Sequence, residues 1–171
     1  MPELIPKELL QPSLLDRLTD DEPDKQVESR DKRVLSMRRL REVVLRDLEW
    51  LLNTSNWDGQ GVLDDYPQVQ SSVLNFGLRD MTGGTASGLD VADVEKRVRE
   101  AILRFEPRIL PPSLRVKAII SEDHGAPNVL SLEITGDLWA EPVPENLYLQ
   151  TRVDLESGSI LLDESIGRGS R

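Results

Sequence analysis

The stretch Ile102-Leu-Arg-Phe-Glu-Pro-Arg-Ile-Leu-Pro-Pro-Ser-Leu114 lies where the sequence changes from one pattern to another. Before it, apolar residues recur at the period of an α-helix, and after it apolar and polar residues alternate as they do in β-strands. Pro107 disfavours helical geometry at the residue that precedes it. We therefore expect a helix to end near Phe105 or Glu106 and a sheet to begin soon afterwards.

The same stretch carries two opposite charges beside a proline. Glu106 and Arg108 flank Pro107, and residues two apart in an extended segment project in the same direction. The carboxylate and the guanidinium can therefore contact each other or share one partner. A rigid, charged corner between a helix and a sheet suits recognition of another protein better than it suits catalysis.

An enzymatic role for this corner would require a second acid. Cleavage of a glycoside needs two carboxyl groups roughly 5–9 Å apart, one of them protonated so that it can donate to the leaving oxygen. Arg108 favours the ionised form of Glu106, which is the wrong form for that task. No second acid is singled out by its spacing. We therefore predict no catalytic residue.

Length and composition limit the possible functions. The chain has 171 residues, enough for one ordinary domain with a core. A net charge of -10 argues against nucleic acid and anionic membranes as partners. The absence of cysteine excludes disulfides, thiolate metal sites and a thiol nucleophile. With no apolar run of membrane-spanning length and no secretion signal, we expect a cytoplasmic protein without membrane insertion and without a cofactor.

Other residues that could carry chemistry have simpler explanations. His124 is the only histidine and lies in a predicted turn, where an exposed loop residue is a better interpretation than a catalytic imidazole. One histidine without cysteine does not make a structural zinc site. Asp64 and Asp65 lack the spaced ligands of a calcium loop, and the glycines of 81–88 lack the Gly-Lys-Ser/Thr sequence of a phosphate-binding loop. We predict no metal site.

The N-terminal segment, residues 1–31, is expected to stand apart from the main domain. Ser13 is placed to cap a short helix. The apolar residues on one side of that helix are Leu14, Leu15 and Leu18. A helix of this length is not stable alone, so it must dock on its own domain, which is the simpler interpretation, or on a partner protein. Residues 19–31 are acidic and polar, as in a solvated linker.

Two long amphipathic helices are predicted in the main domain, residues 32–164. The first begins after Ser36, and the second is capped by Asp90 and ends at the proline corner. Their buried sides are defined by apolar residues three or four apart. These are Met37, Leu40, Val43, Val44, Leu48, Leu51 and Leu52 in the first helix, and Val91, Val94, Val98, Ala101, Ile102 and Phe105 in the second. A shorter helix is expected from Pro67 to about Asn75.

Alternating segments after the corner predict three to four short strands. The alternation covers residues 114–121, 130–135, 147–155 and 159–162, with short connections that imply an antiparallel meander. The two long helices and the short helices must then pack on one apolar face of this small sheet, which gives an α+β fold. Residues 165–171 are expected to form a flexible tail.

Several segments taken together resemble the TssE family of type VI secretion baseplate subunits. No single segment is decisive, but their order and combination are specific, and they cover nearly the whole chain apart from the acidic linker and the tail. They are PSLLDRL (12–18), DLEWLLNT (47–54), YPQVQSSVLNFG (66–77), FEPR (105–108), LYL (147–149) and VDLESG (153–158). The wider family includes the baseplate wedge subunit of contractile phage tails, historically described as lysozyme-like.

The resemblance implies a structural role. A member of this family joins the baseplate wedge built with TssF and TssG, with TssK as a further candidate partner, and lies beneath the contractile sheath on the cytoplasmic side of the inner membrane. Its sheet resembles the part of the sheath subunit through which neighbouring subunits exchange strands. The Glu-Pro-Arg motif is the assembly element of the family, and we expect the leading helix to bind a partner as well. The residues concerned are Glu106, Pro107, Arg108, Leu14, Leu15 and Leu18.

Two other functions stay open at this point. The lysozyme-like description raises a peptidoglycan-cleaving enzyme, although no catalytic pair can be assigned residue by residue. The same fold also resembles an anti-adaptor, a small regulatory protein that shields a stress-response adaptor from its partner. The leading helix and the Glu-Pro-Arg corner favour the baseplate. We expect sheath assembly to begin when a partner strand is added to an edge of the meander.

Overall fold

The computed structural model describes residues 13–19, 24, 36–57, 62–78, 90–120, 129–139, 144–154 and 159–163. Its elements in chain order are α1 (Leu14–Leu18), α2 (Met37–Leu52), α3 (Pro67–Gln70), a 3-10 turn (Val73–Asn75), α4 (Val91–Phe105), β1 (Arg115–Ile120), β2 (Val129–Leu138), β3 (Glu145–Asp154) and β4 (Ile160–Asp163). The predicted α+β fold, with two long helices, short helices and a small antiparallel sheet, is confirmed.

Both long helices begin where predicted, and a side chain caps each of them, as expected for Asp90. The Ser36 hydroxyl accepts a hydrogen bond from the Arg39 backbone N–H at 3.2 Å, and the Asp90 carboxylate accepts one from the Ala92 N–H at 3.0 Å. Such caps satisfy backbone donors that the first turn leaves without a partner inside the helix. The buried residues are Leu40, Val43, Val44, Leu48, Leu51 and Leu52 in α2, and Val94, Val98, Ala101 and Ile102 in α4. The predicted apolar stripes therefore face the core.

The four strands form one antiparallel meander in the order β1-β2-β3-β4. At its centre Ile134 lies opposite Val116 on β1 and Leu149 on β3. Alternate residues of the strands are buried on one face of the sheet: Leu130, Leu132, Ile134 and Leu138 on β2, Leu147, Leu149, Thr151 and Val153 on β3, and Ile160 on β4. α4 packs against β1, α2 packs against β4, and the two helices contact each other. One core therefore lies between the helices and the sheet.

The predicted short helix from Pro67 to about Asn75 is wrong in one respect, because the structure divides it. α3 ends at Gln70, and a separate 3-10 turn follows. The hydroxyl of Ser71 donates to the Pro67 carbonyl at 3.0 Å, and the hydroxyl of Ser72 donates to the Val69 carbonyl at 2.9 Å. Serine side chains that bond to nearby backbone groups compete with helical hydrogen bonding, which explains the break.

A tight return of the chain follows this turn. Gly77 has a φ of +119°, and a Cβ at this position would lie 2.1 Å from the carbonyl oxygen of Thr54. The close approach allows the Leu78 N–H to donate to that same carbonyl at 2.8 Å, and the Asn56 N–H to donate to the Leu78 carbonyl at 2.8 Å. Only glycine combines this backbone conformation with the space available.

Several predictions fall on residues that are not described. They concern the linker 20–31 (apart from Asp24), the glycine-containing segment 81–88, the turn that holds His124, and the tail 165–171. None of the described helices is long and apolar enough to cross a membrane.

Candidate functional site at the helix–sheet corner

The corner is held at both ends by backbone hydrogen bonds. The Glu106 N–H completes α4 by donating to the Ile102 carbonyl at 2.8 Å, so the helix ends where Pro107 predicts. Beyond the proline, the Arg108 carbonyl accepts a hydrogen bond from the Trp139 N–H at 2.7 Å. The turn is therefore fixed both to the last turn of α4 and to the end of β2.

The corner is also anchored by an apolar side chain that packs in the core. Ile109 is 1% exposed and lies beside Gly136 of β2. A Cβ on Gly136 would lie 2.9 Å from the Cγ2 atom of Ile109, so glycine is needed for this close approach. Anchoring Ile109 in the core leaves Pro107 exposed at the tip of the turn.

The charged side chains of the corner contact each other as expected. Glu106 is only 3% exposed, and Arg108 donates to one of its carboxylate oxygens from Nε at 2.6 Å and to the other from Nη2. The Arg108 backbone N–H also donates to Glu106 Oε1 at 3.2 Å. A guanidinium that engages both oxygens of one carboxylate fixes the orientation of both groups.

A second carboxylate, which sequence reasoning did not identify, completes the pairing. Arg108 Nη2 donates to Asp47 Oδ2 at 2.6 Å, across 61 residues of sequence. Asp47 Oδ1 accepts in turn from Arg46 Nη2 at 2.7 Å, and Arg46 Nη1 donates to Asp16 Oδ1 of α1 at 2.7 Å. The chain of ion pairs from Glu106 to Asp16, called the charge ladder below, joins the corner, α2 and α1.

Pairing stabilises the charged forms in this ladder. Burial lowers the pKa of the Arg108 guanidinium, but the hydrogen bonds and charges of Glu106 and Asp47 outweigh burial and raise it. The hydrogen bond to Asp16 raises the pKa of Arg46. Burial raises the pKa of Asp16, but its contacts with Arg46 lower it by more, below the ordinary value of 3.8. At neutral pH Arg108, Arg46 and Asp16 are therefore ionised.

α1 docks through this ladder and leaves its leucines outside. Ser13 caps α1 as predicted, and Leu14, Leu15 and Leu18 are 70%, 48% and 74% exposed. α1 therefore contacts its own domain through the ion pair of Asp16 with Arg46, whereas its three leucines stay exposed. Between α1 and the corner lies a cavity of about 250 Å³, lined by Ser13, Leu15, Asp47, Trp50, Leu51, Phe76, Phe105, Glu106 and Arg108.

The sequence that forms this corner matches the model of a known protein family. The model of the family described as "baseplate wedge protein gp25" matches residues 38–143, which begin in α2 and include the whole corner. The chain belongs to the gp25 baseplate wedge family. It is therefore a phage-like structural component of a baseplate wedge, and the resemblance inferred from its segments is confirmed at the level of this family.

Other comparisons add little to the gp25 assignment. A crystal structure of a Geobacter sulfurreducens protein, provisionally named a tail lysozyme, matches 78% of this chain and 98% of the other chain, with 19% sequence identity and a TM-score of 0.42. A likeness of that size carries no argument about activity. No curated protein matches this sequence.

For this gp25-family chain, we expect the Asp16→Asn substitution to release α1 without unfolding the domain. The Asp16–Arg46 pair is partly exposed, so its loss should cost about 1 kcal/mol of docking free energy. Hydrogen exchange at the amides of α1 should become faster while the melting temperature stays unchanged. The control is Asp93→Asn, which removes an ion pair with Arg97 on the surface of α4.

The pH dependence of α1 docking follows from the lowered pKa of Asp16. A carboxyl group whose pKa is lower in the docked state contributes stability above its ordinary value, 3.8, and loses it as the pH falls through the docked-state pKa. Below the docked-state pKa, the α1 amides of the wild type should therefore show the same protection factors, that is, exchange rates corrected for the intrinsic effect of pH, as those of the Asn variant at that pH. Equal exchange rates for wild type and variant at neutral pH would contradict the docking role.

Proposed function

We propose that the chain is the TssE-like subunit of a type VI secretion baseplate, which joins the wedge and initiates assembly of the contractile sheath. The observation that carries the proposal is the corner, where a buried and fully paired Glu106–Arg108 unit holds an exposed Pro107 at the surface of a gp25-family domain. The proposal locates the protein in the cytoplasm, beneath the sheath and at the inner membrane.

The corner has an ordered structure before any partner binds, which suits it to bind the wedge proteins TssF and TssG. Arg108 is 24% exposed on its side chain, so a partner can contact the guanidinium while Glu106 and Asp47 hold it in position. Because the side chains are already ordered, binding loses little conformational entropy at this site. TssK is a further candidate partner.

α1 offers a second, apolar contact to the wedge. Its three leucines are exposed, and Trp50 of α2, which stacks against Arg46 at 4.9 Å, is 49% exposed nearby. The charge ladder holds α1 on the domain while its leucines stay available. Apolar side chains grouped on one exposed helix are typical of a protein interaction site.

The sheet supports the second half of the role, which is contact with sheath subunits. Among the strands that the structure describes, β1 and β4 each pair on one side only, so each has an outer edge of backbone groups. A strand from another protein can satisfy such groups, and alternate side chains then fix its register. Addition of a sheath strand would start the polymer at this subunit.

An enzymatic role would require Glu106 to donate a proton to a substrate. Both oxygens of this carboxylate are held by Arg108, and the side chain is 3% exposed. A buried carboxylate whose two oxygens both accept from a guanidinium offers a polysaccharide no accessible oxygen. Clearance of purified cell wall by the wild type, lost in Glu106→Gln, would contradict the structural role.

The proposal is tested by co-purification with the wedge proteins TssF and TssG. The Leu14→Ser/Leu18→Ser variant should keep the wild-type melting temperature and recover at least tenfold less wedge complex, since it removes exposed contacts only. The matched control is Val73→Ser/Leu74→Ser, which changes two equally exposed apolar residues of the 3-10 turn. Loss of capture in the control and not in the α1 variant would contradict the role of α1, and failure of the wild type to capture the wedge would contradict the whole proposal.

A further inference from the structure

The two outer edges of the sheet expose alternate backbone groups. In β4, the Ser159 carbonyl accepts a hydrogen bond from the Asp154 N–H at 2.9 Å, so Ser159, Leu161 and Asp163 direct their backbone groups towards β3. Because an antiparallel ladder alternates, the N–H and C=O groups of Ile160 and Leu162 point away from the sheet. These are the groups that an added strand would have to pair.

At Ile160 a side chain already occupies the position of a partner strand. The Ile160 N–H donates to Asn53 Oδ1 at 2.9 Å, and Asn53 Nδ2 donates to the Ile160 carbonyl at 2.9 Å. The side-chain amide of Asn53 thus makes the two hydrogen bonds that the N–H and C=O of one residue in a neighbouring antiparallel strand would make. Asn53 follows the end of α2 and is exposed, so an incoming chain can reach this amide.

The edge of β1 is protected differently. Its outward-facing Ala118 N–H donates to the carboxylate of Glu95 on α4 at 2.8 Å. A carboxylate can accept hydrogen bonds but cannot donate one, and charge at a strand edge opposes pairing. An incoming strand would have to move this charge, whereas at β4 it can replace the neutral Asn53 amide with the N–H and C=O of one of its own residues.

A groove beside β4 can accept a side chain of the incoming strand. It has a volume of about 360 Å³ and is lined by Glu42, Leu45, Arg46, Glu49 and Leu162. Leu45 and Leu162 supply an apolar floor, and Leu162 is the next outward-facing position after Ile160. Among the lining residues, Arg46 is engaged by Asp16 and Asp47, and Glu42 is engaged by Arg38 and Arg39, so Glu49 supplies the negative charge of the rim.

We propose that the β4 edge is the strand acceptor of this protein and that the Asn53 amide is a placeholder, displaced by the N–H and C=O of one residue of the incoming strand. The occupant is an extended segment of a sheath subunit, with an apolar side chain for the groove and a basic residue beside it to match Glu49. This inference rests on the proposed function, because it names the edge through which that function acts.

The test compares two proline variants at outward-facing positions. Leu162→Pro removes an N–H that the sheet does not use, and Ala118→Pro does the same at β1, so each blocks one edge without breaking the ladder. The probe is the purified sheath protein of the same organism, immobilised, together with overlapping peptides that cover its sequence. Circular dichroism and melting temperature establish that each variant is folded.

Leu162→Pro should reduce binding at least tenfold, while Ala118→Pro should bind as the wild type does. Loss of binding in Ala118→Pro alone would overturn the assignment to β4 and leave strand addition intact. Wild-type binding in both variants would show that contact with the sheath does not use a strand edge. That result would contradict the part of the proposed function in which the sheath starts by strand addition.

Asn53→Ala gives a second measurement that does not require a proline. Removing the placeholder leaves the Ile160 groups open, so an incoming strand no longer has to displace two hydrogen bonds. We expect about tenfold tighter binding of the peptide that carries an apolar residue beside a basic one. Weaker or unchanged binding by a folded Asn53→Ala variant would overturn the placeholder role.

Discussion

Replacing Arg108 by alanine should lower the free energy of unfolding by about 3 kcal/mol and abolish co-purification with the wedge. The substitution leaves Glu106, which is 3% exposed, without the group that neutralises it. Removing one member of a buried pair typically costs about 3–5 kcal/mol, and the lower value applies because the Arg108 side chain is 24% exposed. For a chain of 171 residues this corresponds to roughly 6–12 °C in melting temperature.

Two further variants separate the charge of Arg108 from its shape. Arg108→Lys keeps the charge but cannot engage both oxygens of Glu106 and contact Asp47 at once, so it should recover only part of the stability and of the wedge binding. Arg99→Ala removes an exposed arginine from α4 and should change the free energy of unfolding by less than about 0.5 kcal/mol. Wild-type stability in Arg108→Ala would show that the corner does not depend on its ion pairs.

Replacing Gly77 by alanine should have the other large effect, a loss of about 3 kcal/mol or more. A Cβ would lie 2.1 Å from the Thr54 carbonyl oxygen, and the residue has a φ of +119°, which side chains other than that of glycine rarely adopt. Relief of this clash must separate Thr54 from Leu78 and break their 2.8 Å hydrogen bond. Thermal unfolding followed by circular dichroism measures the effect.

The effect of Gly77→Ala should also reach the corner. The neighbouring Phe76 packs edge-on against Phe105, the last residue of α4, with ring centroids 5.2 Å apart. The variant should therefore lose wedge binding together with stability. Gly136→Ala is the comparison: its Cβ would meet the Cγ2 of Ile109 at 2.9 Å, a longer contact and with a side chain instead of the backbone, so its loss of stability should be smaller. A larger loss in Gly136→Ala than in Gly77→Ala would contradict this explanation.

The features that depend on neighbouring residues could be predicted from the sequence. The long helices begin at Ser36 and Asp90 as expected, Pro107 marks the end of α4, and the alternating segments form the meander. The contact between Glu106 and Arg108 belongs to the same class, because the two residues are adjacent across one turn. Local stereochemistry and periodicity are sufficient for all of these.

The features that depend on how distant elements pack could not be predicted. Asp47 lies on the polar side of α2 among several charged residues, and nothing in its local sequence indicates that it contacts Arg108, which is 61 residues away. Asn53 is a residue type common in turns, yet its side-chain amide makes hydrogen bonds with the backbone of Ile160, which is 107 residues away. The break after α3 depends on the hydrogen bonds that the hydroxyls of Ser71 and Ser72 donate to nearby backbone carbonyls. The periodicity of apolar residues gives no information about these hydrogen bonds.

The long pairing of β2 with β3 has a mechanical consequence. The two strands pair along all 10 residues of each, and their hydrogen bonds run perpendicular to the strand direction. A pull along the strands, as a contracting polymer attached to the sheet would exert, therefore loads these bonds in shear, all at the same time. Under force in that direction the hydrogen bonds between β2 and β3 share the load, so the strands cannot separate by breaking one bond after another.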